Sequence, residues 1–102
     1  MEAIRARLQA LYDSGDLLGF SICSDAGVVV HNESFFSDEA AWQATAPFVN
    51  VMRKMKKAGR DVHRLTVELD DVTLIYGCLE QGHALFTLNR QCDLDAAAAV
   101  LT

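Results

Sequence analysis

The chain of 102 residues is sparing with several residue types, and each scarcity excludes something. Its three cysteines, Cys23, Cys78 and Cys92, are odd in number and form no Cys-x-x-Cys pair, which argues for reduced thiols in a cytoplasm rather than a disulfide framework. Its six glycines are scattered, most of them at turns or helix ends, so no phosphate-cradling loop of the Walker or Rossmann kind is present. Positive charge is scarce, with 9 Lys and Arg against 14 Asp and Glu and a net charge of −5. That balance argues against binding to nucleic acid or an anionic membrane, since either needs clustered cations. No apolar run approaches the roughly 18 to 20 residues that span a bilayer. Met1-Glu2-Ala3-Ile4-Arg5 reads as an amphipathic helix start rather than a secretory leader. There is no linker, repeat or low-complexity stretch.

What is present is a globular composition, 51% apolar and 23% charged. Residues 1–102 therefore read as a single domain. A domain this small closes one thin core, so dimerisation would help it.

Residues 2–14 read as a helix, with Ile4, Leu8, Leu11 and Tyr12 on one stripe and Gly15 able to cap it. Residues 17–23 read as a strand, with Leu18, Phe20 and Ile22 expected on one face. Ser24-Asp25-Ala26-Gly27 has the shape of a tight turn, and residues 28–31 return as a second strand. Ser37 is a good N-cap for a long helix to about Ala58, with Asp38 and Glu39 in its first turn and Gly59 after it. Pro47 removes a hydrogen bond inside that helix and predicts a kink or a break into two segments. Residues 63–69, 72–79 and 83–89 read as three further strands joined by turns at Asp70-Asp71 and Glu80-Gln81-Gly82. Asp93 caps a last short helix, 94–101. The order α-β-β-α-β-β-β-α implies an α+β fold, one five-stranded antiparallel sheet with helices packed on it.

Candidate chemistry is thin. His31, His63 and His83 with the three cysteines supply zinc-type ligands, but their spacings match no zinc motif, and no metal site is assigned. A cysteine nucleophile needs a marked environment, and nothing in the sequence marks one. Glu68, Asp70 and Asp71 read as solvated residues at a turn. The basic run Arg53, Lys54, Lys56, Lys57, Arg60 and Arg64 first of all complements the helix dipole. Its sharper reading is an edge, Arg53, Lys56 and Lys57, that docks an acidic partner. Around the long helix, Trp42, Thr45, Phe48, Val49, Met52 and Met55 cover more than one narrow stripe, widened by Ala41, Ala44 and Val51. A helix on a sheet needs only about 100° of apolar surface, so the excess predicts a second interface, as in a dimer.

The element order resembles the roadblock/LC7 domain, a relative of the profilin-like and longin folds. The residues carrying the resemblance are the first hairpin, 18–30, with its Asp-x-Gly turn, then Leu65-Thr66-Val67-Glu68, Val72-Thr73-Leu74-Ile75-Tyr76-Gly77 and Ala84-Leu85-Phe86-Thr87-Leu88. Two departures are Pro47 in the long helix and a final helix shorter than the family's. The resemblance implies a noncatalytic module, and no cofactor is expected. It implies self-association through the second helix and an edge strand, and regulation or scaffolding of a small Ras-like GTPase. Carried onto this chain, Trp42, Thr45, Val49 and Met52 would line the dimer seam or partner surface. The alternative is a small-molecule sensor using the sheet face opposite the long helix, with Tyr76, Phe86, His31 and Cys78 lining a pocket.

Overall fold

The computed structural model describes residues 2–13, 15–62, 64–79 and 82–90. The expected final helix, His63 and the 80–81 turn lie outside them. Seven elements follow in order: α1 (Glu2–Asp13), β1 (Leu17–Cys23), β2 (Val29–Glu33), α2 (Asp38–Lys57), β3 (Arg64–Glu68), β4 (Val72–Leu79) and β5 (Gly82–Asn89). The strands form one antiparallel sheet in the order β2-β1-β5-β4-β3. The two hairpin groups meet at β1–β5, so β2 and β3 are the two edges.

Successive residues of a strand point to opposite faces, and this sheet buries both. On one face Leu8 and Leu11 of α1 pack with Phe20, Ile22, Ile75, Ala84, Phe86 and Leu88. On the other, Val49 and Met52 of α2 pack with Tyr76 and Leu85. Neighbours such as Ala84 and Leu85 thus serve different cores. The helices lie on opposite sides of the sheet, which is why β1, β4 and β5 are apolar on both faces.

Three expectations are corrected. Leu18 does not join Phe20 and Ile22: it is 45% exposed, and Leu17 is buried in its place. The cause is a register shift between Leu17 and Gly19 on β5, which makes Leu18 the extra residue of a bulge. The second strand begins later and runs two residues further than 28–31. The long helix does not break at Pro47; α2 is one element of 20 residues. Pro47 is exposed, and so is Gln43, whose carbonyl loses its donor to the missing N–H. That carbonyl is left on the solvent side, while Ala41, Thr45, Val49 and Met52 hold the helix to the sheet on the other side.

The start of α2 is built by two polar side chains. The Ser37 hydroxyl accepts from the Ala40 N–H at 3.2 Å. Asn32 at the β2 edge donates to the Phe36 carbonyl at 2.9 Å and to Asp38 Oδ1 at 3.0 Å, and accepts from the Ser34 N–H at 3.0 Å. Gly59 ends the helix at φ +77, a conformation open to glycine.

Candidate functional site

The structure divides the expected interface residues of α2 among three environments. Thr45, Val49 and Met52 face the sheet and are buried within the chain, with relative exposures of 0%, 2% and 6%. The Thr45 hydroxyl donates back to the Ala41 carbonyl at 2.8 Å, which lets a polar residue sit there. In this chain these three are core, which departs from the seam role assigned to them. Sheet packing uses the stripe at 41, 45, 49 and 52, the spacing of one helical face.

Phe48 and Met55 lie on the flank beside that stripe, at the i, i+3 and i+7 positions of 48, 51 and 55. Phe48 and Met55 are half-buried and Val51 is 40% exposed. The Phe48 ring stacks on Tyr76 of β4, with centroids 5.7 Å apart and planes 9° apart, so this flank faces the β4–β3 side. There the sheet ends. Leu65 of β3 packs beside Tyr76, Val67 is 39% exposed and Leu69, just past the strand, is 44% exposed. β3 pairs with β4 and, among the described residues, with no other strand. A helix flank and a strand edge thus both carry apolar side chains on the α2 side of the sheet, with Phe48 and Leu65 packed on one core cluster between them.

Trp42 lies on the opposite flank. Its indole packs beneath the β1–β2 turn, where a Cβ on Gly27 would stand 2.9 Å from its Cε2. Next to it is an open cavity of about 450 Å³ lined by Val28, Val29, Asp38, Glu39 and Trp42. Arg53, Lys56 and Lys57 are all exposed near the C-terminal end of α2.

The residues suggested for a sensor pocket do not converge. Tyr76 faces α2, as does Cys78 two residues on, whereas Phe86 faces α1. His31 stacks on Phe20 at 5.2 Å, on the α1 side, and contacts Glu33 at 2.6 Å. Among the described residues no group of three His, Cys, Asp or Glu is placed to hold a metal ion, and no helix is long and apolar enough to cross a membrane.

One cluster was not marked by sequence spacing. Cys78 and His83 are register partners across β4–β5, and Cys23 pairs with His83 from the other side. This brings Tyr76, Cys78 and His83 together beside Asp25 of the first turn. The Tyr76 hydroxyl lies 2.5 Å from His83 Nδ1 and 3.3 Å from Cys78 Sγ. Burial, and then the neighbouring Cys78, push the Tyr76 phenol well above its ordinary value, so it stays a hydroxyl. The one signal available in advance was the tight β4–β5 hairpin, which makes 78 and 83 neighbours.

The sequence matches no family model and no curated protein. The fold does have solved counterparts. A roadblock/LC7 domain from Streptomyces avermitilis superposes with a TM-score of 0.70 at 20% identity, covering 84% of this chain and 77% of that one. A second roadblock/LC7 domain structure from the same organism gives 0.63 at 15% identity, covering 98% and 91%. The chain has the roadblock/LC7 fold.

Proposed function

We propose that the chain is a noncatalytic interaction module that pairs with a second copy of itself through the α2–β3 margin. We propose further that the pair binds and modulates a small Ras-like GTPase. The observation that supports self-pairing is the exposed Val51 beside half-buried Phe48 and Met55 on the flank of α2 whose Phe48 stacks on Tyr76, together with an open β3 edge bearing Val67. An open edge offers backbone hydrogen bonds, and the adjoining apolar flank offers buried area. The GTPase partner rests on the likeness to roadblock/LC7 domains, and Arg53, Lys56 and Lys57 supply the cationic rim for an acidic partner.

Sedimentation equilibrium tests the first part. A dimer that Val51→Asp converts to monomer, with its circular dichroism unchanged, supports the margin; a monomeric wild type, or a Val51→Asp protein that stays dimeric, removes it. Capture from native lysate on the immobilised chain, with a non-hydrolysable GTP analogue and again with GDP, tests the second part. A small GTPase retained in one nucleotide state supports regulation, and its absence in both leaves a scaffold.

A further inference from the structure

The cluster at the end of the sheet is a directional hydrogen-bond chain that ends in a solvent-facing thiol. His83 Nε2 lies 2.5 Å from Asp25 Oδ1. An aspartate carboxylate only accepts, so in the neutral imidazole Nε2 carries the ring hydrogen and Nδ1 keeps the lone pair. The Tyr76 hydroxyl, 2.5 Å away, therefore donates to Nδ1. Its oxygen is left to accept from the Cys78 thiol at 3.3 Å, and Cys78 Sγ itself stands 3.7 Å from Nδ1. The His83 side chain is only 11% exposed, whereas Cys78 is exposed. His83 is largely enclosed in the middle of the hydrogen-bond chain, while the Asp25 carboxylate, 86% exposed, and the Cys78 thiol both reach water. A cysteine that merely fills a strand position requires no such arrangement, least of all one completed by a carboxylate 58 residues from His83 in the chain. Cys23, the other described thiol, is fully buried and does not compete.

We propose that Cys78 is a modification site that takes small-molecule disulfides, with His83 as proton acceptor, Tyr76 as proton carrier and Asp25 as the group that orients the imidazole. The Cys78 proton passes to the Tyr76 oxygen as Tyr76 passes its own to His83 Nδ1. This leaves a thiolate that accepts from Tyr76, and an imidazolium held by Asp25. The thiolate attacks one sulfur of R–S–S–R; a protein–S–S–R bond forms, the original S–S bond breaks, and its electron pair leaves on RS⁻. That thiolate recovers the proton from His83 through Tyr76 and departs as RSH. Cys78 is oxidised to a mixed disulfide, half of the small disulfide is reduced, and no further oxidant is needed. The proposal stands apart from the partner surface, since it needs only one folded chain.

The test is the rate at which the intact chain at pH 7 forms a mixed disulfide with oxidised glutathione, followed by the mass of the peptide containing Cys78. The expected result is a rate that falls about tenfold in His83→Ala and in Tyr76→Phe, and severalfold in Asp25→Asn, consistent with loss of a positioned proton acceptor. Added imidazole restores part of the His83→Ala rate, which a merely structural role for His83 would not allow. A second comparison needs no variant: the folded chain reacts at Cys78 faster than the same chain in urea. Equal rates in wild type and His83→Ala, or a folded chain no faster than the unfolded one, overturn the proposal.

Discussion

At the scale of single residues, two positions turn local geometry into measurable stability. Burial pushes the Cys23 thiol above its ordinary range, partly offset by the Thr45 hydroxyl beside it. Unfolding releases that thiol to its usual value of about 8.5. Above that pH the unfolded chain loses a proton that the folded chain keeps, so stability is fully present below about pH 8.5 and is lost as pH rises through the folded value. Urea midpoints for wild type are therefore expected to fall between pH 8 and pH 10 more steeply than those of Cys23→Ala; parallel slopes would remove Cys23 from the account. Tyr76 adds a loss of the same sign at higher pH. Gly27 is the second position. Its φ of +84 and the 2.9 Å from a built Cβ to the Trp42 indole penalise any side chain. Gly27→Ala is expected to cost about 2 kcal/mol in urea unfolding, from left-handed backbone strain plus overpacking. The turn at 24–27 was legible from Asp25 and Gly27. The indole beneath it was not, because nothing local to residue 42 says which neighbour covers it.

At the scale of elements, alternation carried most of the reading, and it failed where the chain departed from alternation. β4 was read with its bounds and both faces, since Leu74, Tyr76 and Cys78 oppose Thr73, Ile75 and Gly77 without interruption. β1 was read with its bounds but misassigned at Leu18, because a bulge adds a residue that no composition announces. The residues suggested for a sensor pocket are divided for a related reason. Tyr76 and Phe86 are both large and aromatic, but the register that pairs Phe86 with Ile75 places them on opposite faces. Pro47 is the instructive case in a helix. The missing N–H argued for a kink or a break, and the helix does not break because sheet packing of Thr45, Val49 and Met52 on either side of it outweighs the lost bond. Pro47→Ala is accordingly expected to stabilise the fold by about 1 to 2 kcal/mol, part of the roughly 3 kcal/mol a proline costs inside a helix. Urea unfolding reads this directly, and a lower midpoint would show that the sheet contact depends on the shape proline gives the helix.

At the scale of the whole molecule, the width of the apolar band on α2 was visible in the sequence, but its division was not. One band of Trp42, Thr45, Phe48, Val49, Met52 and Met55 became a core stripe, a flank against the β3 edge, and an indole under a distant turn. Only the sheet order β2-β1-β5-β4-β3 decides which flank meets an open edge. That division makes the interface separable from the fold. Val51 is exposed and lies outside both core clusters, so it reports on pairing with little effect on folding. If two chains pair through this margin, unfolding also separates them, and apparent stability rises with protein concentration by mass action. The thermal midpoint of wild type is then expected to climb over a hundredfold increase in concentration, by several degrees for a domain of this size. Val51→Asp is expected to keep the low-concentration midpoint and lose the climb. A mutation that weakened the core would instead lower the midpoint at every concentration. A wild-type midpoint independent of concentration, in a range where the chain is dimeric, would place the pairing surface away from anything lost on unfolding and so exclude the α2–β3 margin.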